Sequence, residues 1–363
     1  MRVLVTGSHG YIGSVLVPML LDEGHLVQGL DSDWFEPCTL FSAENAARSV
    51  RVDLRDVRAS DLEGFDAVVH LAALSNDPLA NLDPALTYQI NHLAAVRLAK
   101  LARQVGVARF LVSSSCSMYG SAGAALLTEE AELQPVTPYG HSKVLADREI
   151  ALLANDDFSP IFLRNATAYG VSPRLRLDLV LNDFVAAACT SGRILIRSDG
   201  TPWRPVVHVE DICRAFIAAL SAPREAVHNE AFNVGSSDEN YQVGELAEIV
   251  AEVVSGSRVE YVPGGGPDKR CYRVDCSKIS RLLPEYRPRW NVHRGVAQLA
   301  DTYRRQGLTA AEIESGKYVR LARLRELLDG RRLGDDLRWR AAENASAAGE
   351  AAVGGAERVS LPS

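Results

Sequence analysis

Met1-Arg2-Val3-Leu4-Val5-Thr6-Gly7-Ser8-His9-Gly10-Tyr11-Ile12-Gly13 opens the chain. Val3-Leu4-Val5 is a short unbroken apolar run, as in a strand buried on both faces. It runs into the glycine-spaced turn Gly7 to Gly13, and a helical pattern of apolar residues follows as far as Glu23. A strand, a glycine turn and a helix in this order predict the start of a βαβ unit and a parallel sheet. Gly7, Gly10 and Gly13 let the turn close tightly. The backbone around Tyr11 and Ile12 can then approach an anion that the positive end of the helix stabilises.

Working outward, Leu26 to Leu30 reads as the second strand. Further strands are expected at Ser49 to Asp53, Ala67 to Leu71, Arg109 to Ser113 and Ser159 to Leu163, with helical stretches near Pro84 to Gly106 and Tyr139 to Ala154. Asp31 closes the second strand about 20 residues beyond the glycine turn, where a carboxylate accepts hydrogen bonds from an adenosine ribose. The same carboxylate repels the 2'-phosphate of NADP, so the expected cofactor is NAD. Asp53, with Leu54 after it, either meets the adenine or serves as a turn acid. Leu71-Ala72-Ala73 ends the fourth strand with small residues beside which the cofactor can lie, whereas His70 reads as a packed histidine.

Tyr139-Gly140-His141-Ser142-Lys143 opens a helix after Pro135 and Pro138. Residues four apart share a helix face. A phenol ordinarily titrates near 10; an ammonium beside it, and the positive nicotinamide ring, favour the phenolate that acts as a base. Upstream, Phe110-Leu111-Val112-Ser113-Ser114-Ser115 delivers hydroxyls to the carboxyl end of a strand, where open α/β sheets bind ligands. Ser115 is the candidate to hold a substrate oxygen, and Ser113 to border the cofactor or to cap the turn.

The glycine turn, Asp31, the Ser115 region, Tyr139 with Lys143, and Tyr169-Gly170 together resemble the extended short-chain dehydrogenase/reductase family over roughly residues 1 to 300. The nearest patterns are those of nucleotide-sugar 4-epimerases and 4,6-dehydratases. The resemblance implies a Rossmann α/β fold, a doubly wound parallel sheet with a smaller, discontinuous C-terminal domain for a nucleotide sugar. It also implies a retained NAD, catalysis by Ser115, Tyr139 and Lys143, and a homodimer formed through paired helices. Dehydratases of the family carry an Asp-Glu pair after the catalytic Ser or Thr, and decarboxylating relatives tend to place a Glu there. Here Cys116 and Ser117 hold those positions. Epimerisation, expected at C4 through a transient 4-keto sugar, is therefore favoured over dehydration. Cys116 is either buried filler or an acid or base of its own.

Other positions carry the resemblance with departures. Arg164-Asn165-Ala166-Thr167-Ala168-Tyr169-Gly170 matches a family stretch in which Thr167 replaces a substrate-contacting Asn. Asp199-Gly200-Thr201-Pro202-Trp203-Arg204-Pro205 resembles the loop whose Arg grips a nucleotide diphosphate, and Arg204 suits a bidentate phosphate contact. Arg270 and Arg273 are either second cationic contacts or solvated loop charges, and Asn182 lies where family members touch the nucleotide sugar. The competing readings are a net NAD(P)-dependent oxidoreductase, motivated by Thr167, and a non-catalytic scaffold, motivated only by the C-terminal extension.

The expected division assigns residues 1–169 to the cofactor, with 205–236 returning to that unit. Residues 170–204 and 237–340 form the substrate-binding region, and 341–363 a disordered tail poor in large apolar groups. Tyr318 to Trp339 reads as an added helix that docks on the body or on a neighbouring subunit. The 363 residues, 47% hydrophobic and 23% charged, suit a globular enzyme. A net charge of -7 with scattered Lys and Arg argues against nucleic acid as a partner. Six cysteines without a Cys-x-x-Cys pair predict reduced thiols and no metal site. With no long apolar segment and a strand at the very start, neither a membrane span nor a signal peptide is expected, and the location is expected to be cytoplasmic.

Overall fold

The computed structural model describes residues 1–42, 47–264, 268 and 270–340; the tail expected at 341–363 lies outside them. Seven strands form one sheet in the order Glu230–Val234, Ser159–Asn165, Arg109–Ser115, Ala67–His70, Arg2–Thr6, Leu26–Asp31, Arg48–Arg51. Every neighbouring pair runs parallel. The alternation of side chains along a strand explains the apolar runs. Val3 and Val5 point into one core with Leu16, Leu20 and Phe216, while Leu4 points into the opposite core with Leu98, Phe110 and Ile150. Both faces are covered by helices, which is the doubly wound α/β, Rossmann-type architecture.

The chain winds outward from Arg2–Thr6 to Arg48–Arg51 and then crosses to Ala67–His70 on the other side. Strand order therefore reverses between Arg2–Thr6 and Ala67–His70, and the crevice beyond their carboxyl ends is the place such sheets offer to ligands.

A second core joins helices Val180–Ser191, Val243–Val253 and Val292–Arg305 through Leu181, Val185, Leu246, Val250, Val296 and Leu299. Helix Val209–Ser221 and strand Glu230–Val234 return to the main sheet, Phe216 and Phe232 lying in its core. The stretch 237–340 is shared between units. Tyr272, Val274, Cys276, Ile279 and Tyr286 pack into the main core, because strand Cys271–Val274 pairs with Ser121–Leu127.

The helix expected over Tyr318 to Trp339 is shorter. It spans Arg320–Asp329 and stops at Gly330, with Arg331 at a positive φ of 54°. The chain then folds back so that Leu333 bridges to Trp339. This segment docks on the body: Leu324, Leu327, Leu333 and Leu337 are buried against Trp34, Leu74, Leu79 and Ile90.

Candidate active site

Two adjoining cavities occupy the crevice. The first is lined by Gly7, Gly10, Tyr11, Ile12, Gly13, Asp31, Asp53, Leu54, Leu71, Ala72 and Ala73. These are residues that the sequence pattern places beside a dinucleotide. The glycines are fitted to a cradle. A Cβ on Gly7, which has a φ of 72°, would stand 2.8 Å from the Ala72 amide nitrogen, and one on Gly13 would stand 2.3 Å from the Gly7 carbonyl oxygen. Asp31 is held in place by the backbone amides of His9 and Asp33, both at 2.9 Å, and burial pushes its carboxyl up. Asp53 takes both readings: it borders the cavity and caps the turn at Arg55. Burial pushes its carboxyl up, but hydrogen bonds from Arg55 outweigh this and hold it below the usual range. A glycine cradle at a helix start, with a half-buried acid at the end of the second strand, fits an adenine dinucleotide.

The second cavity is lined by Ser113, Ser115, Ser117, Tyr139, Lys143, Thr167, Arg204 and Arg270, so strand ends, a helix and two loops converge there. The cavities share Ile12, Leu71, Ala73, Ser75 and Arg176 and so meet at the sheet's switch point. Helix Pro138–Ala151 carries Tyr139 and Lys143 in its first turns. Thr137 caps it through the Gly140 amide at 3.2 Å, with a proline in the first turn. Gly140 permits its seat, since a Cβ there would meet the Pro135 side chain at 2.9 Å and the Ser117 carbonyl at 3.3 Å.

Ser115 sits where the sheet strand ends and lines the same cavity as Tyr139, its hydroxyl accepting from the Ser117 amide at 3.1 Å. Burial pushes the Tyr139 phenol up to about 12, while Ser115 and the Arg176 charge pull the other way. Lys143 donates to the Ser113 carbonyl at 2.8 Å; burial lowers its ammonium to about 8, and Asp147 raises it. His70 is packed, with a ring nitrogen 2.8 Å from Thr6 Oγ1, and burial lowers it to about 3, so it stays neutral.

Several lining residues were missed in the sequence. Asp77, Arg176 and Asp178 all border the second cavity. Asp77 is bound by Arg270 at 2.6 Å and by the Thr137 hydroxyl at 2.6 Å. Asp178 is bound by Arg176 at 2.9 Å. Both carboxylates in the cavity are thus already engaged by guanidinium groups. Arg204 and Arg270 converge on Asp268 at 2.8 and 2.6 Å; burial pushes that carboxyl up, but the two guanidiniums prevail and hold it at about 2.

Three expected substrate contacts lie elsewhere. Cys116 is packed in the core, its thiol 3.0 Å from the Arg164 carbonyl, and burial pushes it far up, which removes it as an acid or base. Asn182 is fully buried and ties two units together: it accepts from the Gly170 amide at 3.0 Å and donates to the Tyr11 hydroxyl at 3.1 Å. Arg273 lies over the Trp203 ring at 4.5 Å and donates to the Ala124 carbonyl. Among the described residues no group of three or more His, Cys, Asp and Glu side chains could hold a metal ion, and no helix is long and apolar enough to cross a membrane.

Residues 3–235 match the model of the NAD dependent epimerase/dehydratase family. The chain is 31% identical to a UDP-glucose 4-epimerase of Mycolicibacterium smegmatis over 84% of its own length and 99% of the relative's. Its fold superposes on MoeE5 in complex with UDP-glucuronic acid and NAD, at a TM-score of 0.74 and 29% identity, covering 84% of this chain and 99% of that one. It is also similar to DesIV, a dTDP-glucose 4,6-dehydratase from Streptomyces venezuelae solved with NAD, at a TM-score of 0.73 and 27% identity, covering 86% and 99%.

Proposed function

The chain belongs to the NAD-dependent epimerase/dehydratase family and takes NAD as its cofactor, and from that premise we propose that it is a nucleotide-sugar epimerase acting at C4. One observation carries the choice. The cavity that gathers Ser115, Tyr139 and Lys143 has Ser117 as its contribution from the strip where dehydratases keep acids, Cys116 being packed away, and its carboxylates Asp77 and Asp178 are bound by arginines. Among the described residues, no carboxylate lining that cavity is left free to abstract a carbon-bound proton or to expel water.

On this reading residues 1–169 and 205–236 hold the cofactor, and 170–204 with parts of 237–340 hold the nucleotide sugar. Ser115 steadies the C4 oxygen and Tyr139 takes its proton, while Lys143 supplies the cation that makes the phenolate accessible. Bound NAD supplies a hydride acceptor at C4 and the means of returning the hydride. The keto sugar turns over in the chamber, and Tyr139 gives the proton back on the other face. Arg204 and Arg270 exchange part of their pairing with Asp268 for the diphosphate, Arg270 keeping its pairing with Asp77. The protein acts as a homodimer through helices Ala94–Gln104 and Pro138–Ala151, beside which Leu93, Leu145 and Leu152 leave apolar surface exposed.

The test is incubation of the NAD-loaded enzyme with a panel of nucleotide sugars, following C4 configuration by NMR. Inversion of one member, with the cofactor returned to its starting oxidation state, is expected. No inversion by enzyme that holds NAD, or net accumulation of reduced nicotinamide, would overturn the reading. Tyr139→Phe is expected to lower turnover by roughly 10²- to 10⁴-fold while NAD stays bound.

A further inference from the structure

A segment beyond the family-model match also borders the cofactor cavity. Helix Arg320–Asp329 begins with Arg320, which lines that cavity and is 2% exposed. Its surroundings account for only part of the guanidinium. Nη2 donates to the Arg174 carbonyl at 3.1 Å, one face lies over the Phe35 ring at 4.7 Å, and the Cys38 thiol is a further neighbour. Nη1 is buried and has no hydrogen-bond partner. A guanidinium stays charged in any protein environment, and a buried charge left partly unsatisfied is costly. The other arginine bordering the cavity, Arg176, is committed to Asp178 and to the Ser75 hydroxyl.

We propose that Arg320 is a cofactor-binding residue, its free Nη1 donating to the pyrophosphate of NAD, and that residues 320–340 form a roof over the adenosine end of the dinucleotide. The pyrophosphate is the anionic group of NAD, and the glycine turn brings it to the same cavity. The roof is fixed to the cavity's own wall. Arg323 donates to the Trp34 carbonyl at 3.2 Å, and Trp339 to the Ser32 carbonyl at 2.7 Å. Arg51 lies over the Trp339 ring at 4.2 Å, and Arg338 pairs with Asp56. Ser32, Trp34 and Phe35 directly follow Asp31 and line the cavity, so the roof is bonded to the stretch that carries Asp31. This inference needs NAD binding alone and is independent of the sugar or the carbon inverted.

The test separates a phosphate contact from a structural one by titrating the full-length protein with NAD, ADP and adenosine. For Arg320→Gln, NAD and ADP are expected to bind roughly 10- to 100-fold more weakly, as for loss of a hydrogen bond between charged groups, with adenosine unchanged. Arg325→Gln, on the exposed side of the same helix, is expected to bind all three as the parent does. Unchanged NAD affinity in Arg320→Gln, or an equal loss for adenosine, would overturn the proposal. Hydrogen exchange of the unsubstituted protein gives a second measure that does not depend on the variant's folding. Added NAD is expected to slow exchange across 320–340, and ADP to do so more than adenosine. No slowing, or equal slowing by adenosine and ADP, counts against it.

Discussion

Asp147 lies one helical turn beyond Lys143 and is buried, with one carboxylate oxygen receiving the Ser114 hydroxyl at 2.6 Å and the other unpartnered. Burial pushes its carboxyl up to about 6, while Ser114 and the nearby cations lower it. Its charge is what raises the Lys143 ammonium against burial. Removing that charge in Asp147→Asn therefore lowers the Lys143 value below about 8. If the ammonium is required, the alkaline limb of kcat/KM moves to lower pH while the value at pH 6 changes little; a pH profile of both proteins checks the direction. Ser115, Tyr139 and Lys143 were legible because a strand end and a helix face fix where such side chains go. Asp77, Arg176 and Asp178 were not, since they lie outside the regular strand and helix faces that were read, and only tertiary folding brings them to the cavity. Cys116 and Asn182 show the converse: neighbours in sequence to site residues, they point into the interior.

At the scale of elements, the turn before helix Gly13–Asp22 leaves no room for a side chain. A Cβ on Gly13 meets the backbone oxygens of Gly7 and Ser8 at 2.3 and 2.6 Å, and backbone cannot yield as a flexible side chain can. Gly13→Ala is expected to cost about 1–3 kcal/mol, seen as a lower thermal midpoint, and to weaken NAD binding measured by titration. Unbroken apolar runs and period-3.6 patterns made the main strands and helices readable, as with the buried run Ser159–Asn165. Strands Ser121–Leu127 and Cys271–Val274 escaped notice. The first is rich in Ala and Gly, poor strand formers, and the two form a sheet only because folding brings distant segments together.

For the whole molecule, how the stretch 237–340 is divided among three cores was the least readable feature, because burial of Leu246, Tyr272 or Leu324 depends on what faces them rather than on local pattern. Leu93, Leu145 and Leu152 are 56%, 37% and 83% exposed. On the homodimer reading, light scattering should give twice the chain mass, and Leu145→Glu should give a monomer that still binds NAD. A lone chain in the parent protein would refute the pairing. The C-terminal segment bears on metabolism as well as on affinity. If residues 320–340 roof the cavity as proposed, the dinucleotide behaves as a resident prosthetic group rather than a diffusing co-substrate. On the epimerase reading, hydrogen lifted from one sugar is then handed back only to that sugar, and the balance of oxidised to reduced nicotinamide outside has no hold on the rate.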